Sequence, residues 1–131
     1  MISAILCVAS AIYFEARSEP IEGQAAVAWV IYNRTASDGY PATNCEVVHE
    51  DEQRRRKCQF SFMCDGKRED IYDEQAYARA IIITILTAVN FLPDPTGGAT
   101  HYHRIESRPF WAQSENVVAT INGHIFYKGV K

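Results

Sequence analysis

Pro20 falls between two apolar runs, one ending near Ala16 and one spanning Ala25 to Tyr32, and it prevents them from forming one continuous helix. A proline lacks the amide hydrogen that an interior helical position donates, and it drives the residue before it, here Glu19, out of the helical region. Ile2, Ile5, Leu6, Ala9, Ile12, Tyr13 and Ala16 recur at helical spacing opposite a stripe of Ser3, Ser10 and Arg17. A first amphipathic helix is therefore expected to end near Arg17. A second should run from about Pro20 to Arg34, with Pro20 in its first turn, Ser18 or Glu19 as cap, and burial on most sides. This helical corner places Glu15 at the C-terminal end of the first helix.

Residues Thr35 to Lys57 show no sustained periodicity, contain Gly39 and Pro41, and end in the charge block Glu50 to Lys57, so they read as a solvated loop. Asp73 can cap a third helix that continues through Ala76, Ala80, Ile83 and Leu86 and stops before Pro93. Pro93, Pro95, Gly97 and Gly98 then make a turn-rich link into a short strand over Ala99 to His103. Val117 to Ile121 and His124 to Tyr127 flank Asn122-Gly123, a strong hairpin signal. The expected class is α+β, mainly helical, with a small antiparallel sheet in the C-terminal third.

A chain of 131 residues with 47% apolar and 22% charged residues suits one compact globular domain over 1–131. Its net charge of −3 supplies no basic surface for nucleic acid, and that partner class is set aside. Met1 to Phe14 is apolar but has no basic flank or small-residue cleavage site, and it is too short to span a bilayer, so it reads as a folded helix. Neither membrane insertion nor a secretory leader is expected. Of four cysteines, Cys7 lies on the apolar first helix and reads as a buried thiol; Cys45, Cys58 and Cys64 cluster around one loop, where at most one bridge can form.

Glu15 has the setting of a general acid. The negative end of the helix dipole disfavours a carboxylate there, and Tyr13 and Phe14 can help desolvate it, so both effects push its pKa upward; pairing with Arg17 would oppose them. On residues alone, an exposed structural glutamate accounts for the position as well. Glu19 and Glu22 are open to two readings, as capping and first-turn residues of the second helix or as a second carboxylate that activates water. His101 and His103 project from one strand face, and Cys58 with Cys64 could add thiolates, but Cys-x5-Cys is not a standard zinc spacing and no metal is assigned. Any Cys could meet any His as a nucleophile pair, which is a weak signal. Gln59, Phe60, Ser61 and Phe62, with Tyr102, Trp111 and Tyr127, form a polar-aromatic set of the kind that stacks on sugars.

The run from Tyr13 through Glu15-Ala16-Arg17-Ser18-Glu19-Pro20 to Ala28, closing on Asn33-Arg34, resembles the opening motif of the spore cortex-lytic, SleB/CwlJ-type cell wall hydrolases. Further pieces follow in that family's order: Tyr40-Pro41 and Cys45, Gln59-Phe60-Ser61, Gly98 to His103, Pro109 and Trp111, and Asn122-Gly123-His124-Ile125-Phe126-Tyr127. The resemblance covers nearly the whole chain. It implies a lysozyme-like, lytic transglycosylase-like fold with Glu15 as the catalytic acid and base. It further implies cleavage of the β-1,4 bond from N-acetylmuramic acid to N-acetylglucosamine, often with a 1,6-anhydromuramic product. Phe62 departs from the pattern, since many relatives carry Trp after Gln-Phe-Ser.

The resulting expectation is a monomeric cell wall lytic enzyme without a cofactor, with Glu15 catalytic and Gln59, Ser61, Tyr102, His103 and Trp111 contacting peptidoglycan glycan strands. It would act at the wall or periplasm, reached through a separate permeabilising protein if it is a phage lysin; host wall remodelling and a domain cut from a longer chain are the alternatives. Three rivals remain: a true muramidase using Glu15 plus Glu19 or Glu22, a non-catalytic glycan-binding module, and a zinc or Cys-His peptidase acting on stem peptides.

Overall fold

The chain turns at Pro20, as its backbone chemistry requires. In the computed structural model, which describes residues 2–54 and 71–130, α1 (Ile2–Ala16) ends just before the turn and α2 (Ile21–Thr35) begins just after it. The Glu19 amide donates to the Ala16 carbonyl at 2.9 Å, and the extended Pro20 (ψ 169°) accepts the first helical bond of α2 from Gln24 N at 3.1 Å. Pro20 thus occupies the N-cap position itself, without a side-chain cap, instead of the first turn. Glu19 is not the cap, because its carboxylate is engaged elsewhere.

α3 (Asn44–Arg54) replaces the loop expected between Thr35 and Lys57, and α4 (Glu74–Ala88) follows the Asp73 cap, whose side chain accepts from Ala76 N at 3.0 Å. α3 lacks an apolar stripe because, among its described side chains, a short patch of Val47 and Val48 is what enters the core. Its start is nevertheless written in Thr43-x-x-Glu46. The Thr43 hydroxyl accepts from Glu46 N at 3.3 Å and donates to the Glu46 carboxylate at 2.7 Å, a variant of the capping box. Glu50 to Arg54 belong to this helix, so the charge block is helical to that point; 55–57 lie outside the described residues.

α1 packs against α2, α3 and α4 together. Val8 and Ala11 are therefore fully buried beside Ala9, Ile12, Tyr13 and Ala16, while Ile2 and Leu6, assigned to the buried stripe by spacing, are exposed. Cys7 is not a free thiol: it is joined to Cys45, tying α1 to α3. α2 is buried from Gly23 to Ala28 and again at Val30, Ile31 and Arg34, as its apolar run predicts. The phenol of buried Tyr13 accepts from both Tyr72 N (3.0 Å) and Asp73 N (2.9 Å), which fixes the entry to α4.

β1 (His101–Arg104), β2 (Val117–Ile121) and β3 (His124–Tyr127) form an antiparallel sheet in the order β1-β3-β2. His101 pairs with Tyr127 and His103 with Ile125; Tyr102 pairs with Phe126 and Arg104 with His124. Since side chains alternate along a strand, these pairs define two faces. Tyr102, His124 and Phe126 turn into the core, each at most 2% exposed, while His101, His103 and Tyr127 share the other face.

Candidate active site

Glu15 sits one residue before the end of α1 and is half-buried. Beside it on the helix, Tyr13 is enclosed edge-on by Phe14 and Tyr77, with ring centroids 4.9 and 5.9 Å away, and the Arg17 guanidinium lies 4.5 Å over the Tyr13 ring. This stacking explains the basic residue at the corner through the phenol beneath it. Glu22 is exposed in the first turn of α2, where a carboxylate complements the helix dipole.

Glu19 makes a contact that neither of its two sequence readings includes. Its Oε1 accepts the amide of Gly123 at 2.9 Å, across 104 residues of sequence, and lies 3.8 Å from His124 Nδ1. The close approach depends on Gly23: a Cβ there would stand 2.7 Å from Asn122 Oδ1 and 3.0 Å from Glu19 Cβ. The left-handed backbone of the turn falls on Asn122 (φ 52°), while Gly123 directs its N–H at the carboxylate. Gly23 was not singled out in the sequence. A glycine inside a helix weakens it by about 0.5–1 kcal/mol relative to alanine, and that cost is the signal that something must pass close by.

His124 is 1% exposed and its Nδ1 makes no hydrogen bond. Burial holds its pKa below the usual histidine value, against the opposing pull of the Glu19 carboxylate. The ring packs on Tyr102 and Phe126 at 5.2 and 6.2 Å.

The outer face of the sheet collects the aromatic residues. Trp111, half-buried on the connection from β1 to β2, meets His101 at 5.0 Å, Tyr127 at 5.2 Å and His103 at 5.7 Å between ring centroids, and His103 stacks on Tyr127 at 5.2 Å. His103 Nδ1 lies 2.6 Å from the Arg104 carbonyl, which can only accept, so Nδ1 carries the proton. In the neutral ring Nε2 then accepts from the Tyr127 hydroxyl at 2.7 Å. The result is a tryptophan edged by imidazoles and backed by the buried phenol of Tyr127, a surface suited to a sugar's apolar face and hydroxyl rim.

Of the expected glycan contacts, His103 and Trp111 come together on this face and His101 and Tyr127 join them. Tyr102 does not: strand alternation turns it into the core at 2% exposure, which removes it from the stacking surface. Gln59 and Ser61, with Phe62, Cys58 and Cys64, lie outside the described residues. Among the described residues no group of three or more His, Cys, Asp or Glu is arranged to hold a metal ion, and Cys7 and Cys45 are bonded to each other, so neither is a free nucleophile. No helix among them is long and apolar enough to cross a membrane.

A further network seats the start of the sheet on α2. Asn33 Nδ2 donates to Asp94 Oδ2 (3.0 Å) and to the Ala99 carbonyl (2.9 Å), and buried Arg34 donates through Nε to the Thr100 carbonyl at 2.7 Å. Asp94 also accepts from Thr96 N, Thr96 Oγ1 and Gly98 N, which closes the turn before β1.

The Cell Wall Hydrolase family matches residues 18–127. The chain is similar to the spore cortex-lytic enzyme of Halalkalibacterium halodurans, 37% identical over 123 residues, covering 93% of this chain and 34% of the relative. It is 34% identical to the Bacillus cereus spore cortex-lytic enzyme over 125 residues, 95% of this chain and 44% of that one. The chain therefore spans less than half the length of these curated relatives. Two solved structures share its lysozyme-like α+β fold with a TM-score of 0.73 and 32% identity over 98% of this chain. They are the catalytic domain of the Bacillus cereus SleB protein, 91% covered, and the catalytic domain of the germination-specific lytic transglycosylase SleB from Bacillus anthracis, 96% covered. The family match begins at Ser18, three residues beyond Glu15, whereas the overlaps with the full-length relatives are too long to leave Glu15 out.

Proposed function

The chain belongs to the cell wall hydrolase family, and on that premise we propose that it is a single catalytic unit that cleaves the glycan strands of peptidoglycan between N-acetylmuramic acid and N-acetylglucosamine, as a lytic transglycosylase. Glu15 is the acid and then the base. Its carboxylic acid protonates the glycosidic oxygen as the bond from the muramic C1 breaks. The resulting carboxylate takes the proton of the muramic 6-hydroxyl as that oxygen attacks C1, so a 1,6-anhydro ring forms, water is not consumed and Glu15 ends protonated as it began. His103 and Trp111, with His101, supply the surface that holds the strand, and the buried Tyr127 backs it by bonding His103.

The observation that carries this reading is the engagement of Glu19. An inverting or retaining hydrolase needs a second carboxylate opposite the acid. Glu19 Oε1 is committed to the Gly123 amide, and Glu22 points outward from the first turn of α2. This supports a one-carboxylate reaction over the muramidase alternative. The likeness to a catalytic domain described as a lytic transglycosylase supports it independently.

The test is Glu15→Gln beside wild type on purified peptidoglycan, with circular dichroism for folding and mass spectrometry of the products. Release of anhydromuropeptides by wild type and a loss of at least about a hundredfold in the folded variant are expected. Reducing ends in the wild-type products would point to the muramidase instead, and wall binding without fragments to the non-catalytic module.

A further inference from the structure

Glu19 sits four residues beyond the proposed acid, at a point where the backbone is held on both sides. Its amide donates to Ala16 O, its carbonyl accepts Gln24 Nε2 at 2.9 Å, and Pro20 follows it with φ fixed at −60°. A side chain projecting from such a point has a defined origin, and this one is only 14% exposed. It ends on the amide of Gly123, the residue immediately before β3. β3 is the central strand and pairs with both β1 and β2, so whatever fixes Gly123 also fixes the register of Tyr127 and, through it, of His101 and His103.

We propose that Glu19 is a positioning residue: its carboxylate clasps the β2–β3 turn to the α1–α2 corner and thereby sets the separation between Glu15 and the aromatic face of the sheet. The proposal rests on the reading of Glu15 as the acid. A charged acceptor gives a stronger and better-directed bond to a backbone amide than a neutral one. Gly23 supports the clasp from the other side, since the bare helix surface at that position lets Asn122 come within a distance that any Cβ would contest. The two residues lie at i and i+4 across the start of α2 and serve one contact. Reacting groups displaced by about 1 Å lose on the order of a hundredfold in rate, which is the scale of effect available to a residue that never touches substrate.

Reach and charge can be separated by two conservative variants. Glu19→Gln keeps the length and an amide oxygen for Gly123 but removes the charge; Glu19→Asp keeps the charge but is one methylene too short. With purified peptidoglycan as substrate, at a temperature where both variants are fully folded, Glu19→Gln is expected within about fivefold of wild-type kcat. Glu19→Asp should lose about tenfold or more in kcat with little change in KM, because the sugar-binding face is intact but displaced. Hydrogen exchange of the Gly123 amide should stay slow in Glu19→Gln and become fast in Glu19→Asp. Glu19→Asp more active than Glu19→Gln, with Gly123 still protected in the latter, would make Glu19 a reacting carboxylate and overturn the proposal. Equal kcat in both variants despite a labile Gly123 amide in Glu19→Asp would reduce the contact to a structural one. Glu15→Gln measured in parallel separates the two ideas: if it remains active while its Gly123 amide stays protected, the acid assignment has failed and the proposal falls with it. If Glu15→Gln is inactive and the Glu19 order is reversed, the acid stands and the clasp alone is wrong.

Discussion

The helical and sheet halves of this molecule are held by different physics. Around α1, stability comes from apolar burial: Val8, Ala9, Ala11, Ile12, Val27, Val30, Ile31 and Ala80 are all fully buried, and a disulfide joins α1 to α3. The sheet has three short strands and contributes only a few core side chains, chiefly Tyr102, Ile121 and Phe126. Its seat depends on directed polar contacts from the two ends of α2: Glu19 to Gly123 at one end, Asn33 to Ala99 and Arg34 to Thr100 at the other. Apolar packing is tolerant of small shifts, whereas a hydrogen bond fixes distance and direction. The half that carries Glu15, the proposed acid, is therefore built for stability, and the half that carries the proposed sugar surface is placed by hydrogen bonds.

Three variants should break this contrast in graded ways. Replacing Cys7 and Cys45 together by alanine frees a loop closed over a separation of 38 residues and should cost about 4 kcal/mol on the chain-entropy account, seen as a lower denaturant midpoint for the whole chain. Ile12→Ala, at a site with no exposure and helices on several sides, should cost about 3 kcal/mol and lower the same midpoint without altering amide exchange in the sheet selectively. Asn33→Ala strips donors from Asp94 and from the Ala99 carbonyl and should cost about 2 kcal/mol. Its signature should be local: faster exchange at Gly98, Ala99 and β1, with the helices unchanged. If Asn33→Ala instead loosened α1 and the sheet equally, the two halves would form one cooperative unit and the contrast would fail.

What could be read from the sequence divides along the same line. Pro20, the Asp73 cap and Asn122-Gly123 are local signals, and α1, α2, α4 and the hairpin follow from them closely. α3 escaped periodicity because its buried surface is two adjacent valines, although Thr43 and Glu46 announce its start. The Cys7–Cys45 bridge was illegible because disulfide partners are chosen by three-dimensional proximity, and α3 is what carries Cys45 to α1. At the site, the placing of His101 and His103 on one face follows from strand alternation, and the same rule applied to Tyr102 would have sent it to the core. The contact from Glu19 to Gly123 spans too much sequence for any local rule. Its only trace is Gly23, a helix residue whose presence has no explanation until the turn against it is seen.

The last contrast between the halves is in their response to acid. His124 is buried where the sheet meets the corner, and burial depresses its pKa below the unfolded value of about 6.5, with Glu19 pulling the other way and Arg104, Glu106 and His103 contributing smaller effects. In the interval between the folded and unfolded values the unfolded chain binds more protons, so stability rises with pH there. The contribution of neutral His124 is thus complete above about pH 6.5 and is lost as pH falls below it toward the folded pKa. The difference in unfolding free energy between wild type and His124→Phe, followed from pH 7.5 downward, should shrink or change sign across this window if the histidine is responsible. Glu19→Gln sharpens the expectation. Removing the carboxylate takes away the one nearby group that most favours the protonated ring, so the folded pKa should fall further and the loss of stability on acidification should grow. A pH dependence that is unchanged in Glu19→Gln would mean that the carboxylate 3.8 Å from Nδ1 is electrostatically silent, and that hydrogen bonding to Gly123 is its whole contribution to the sheet.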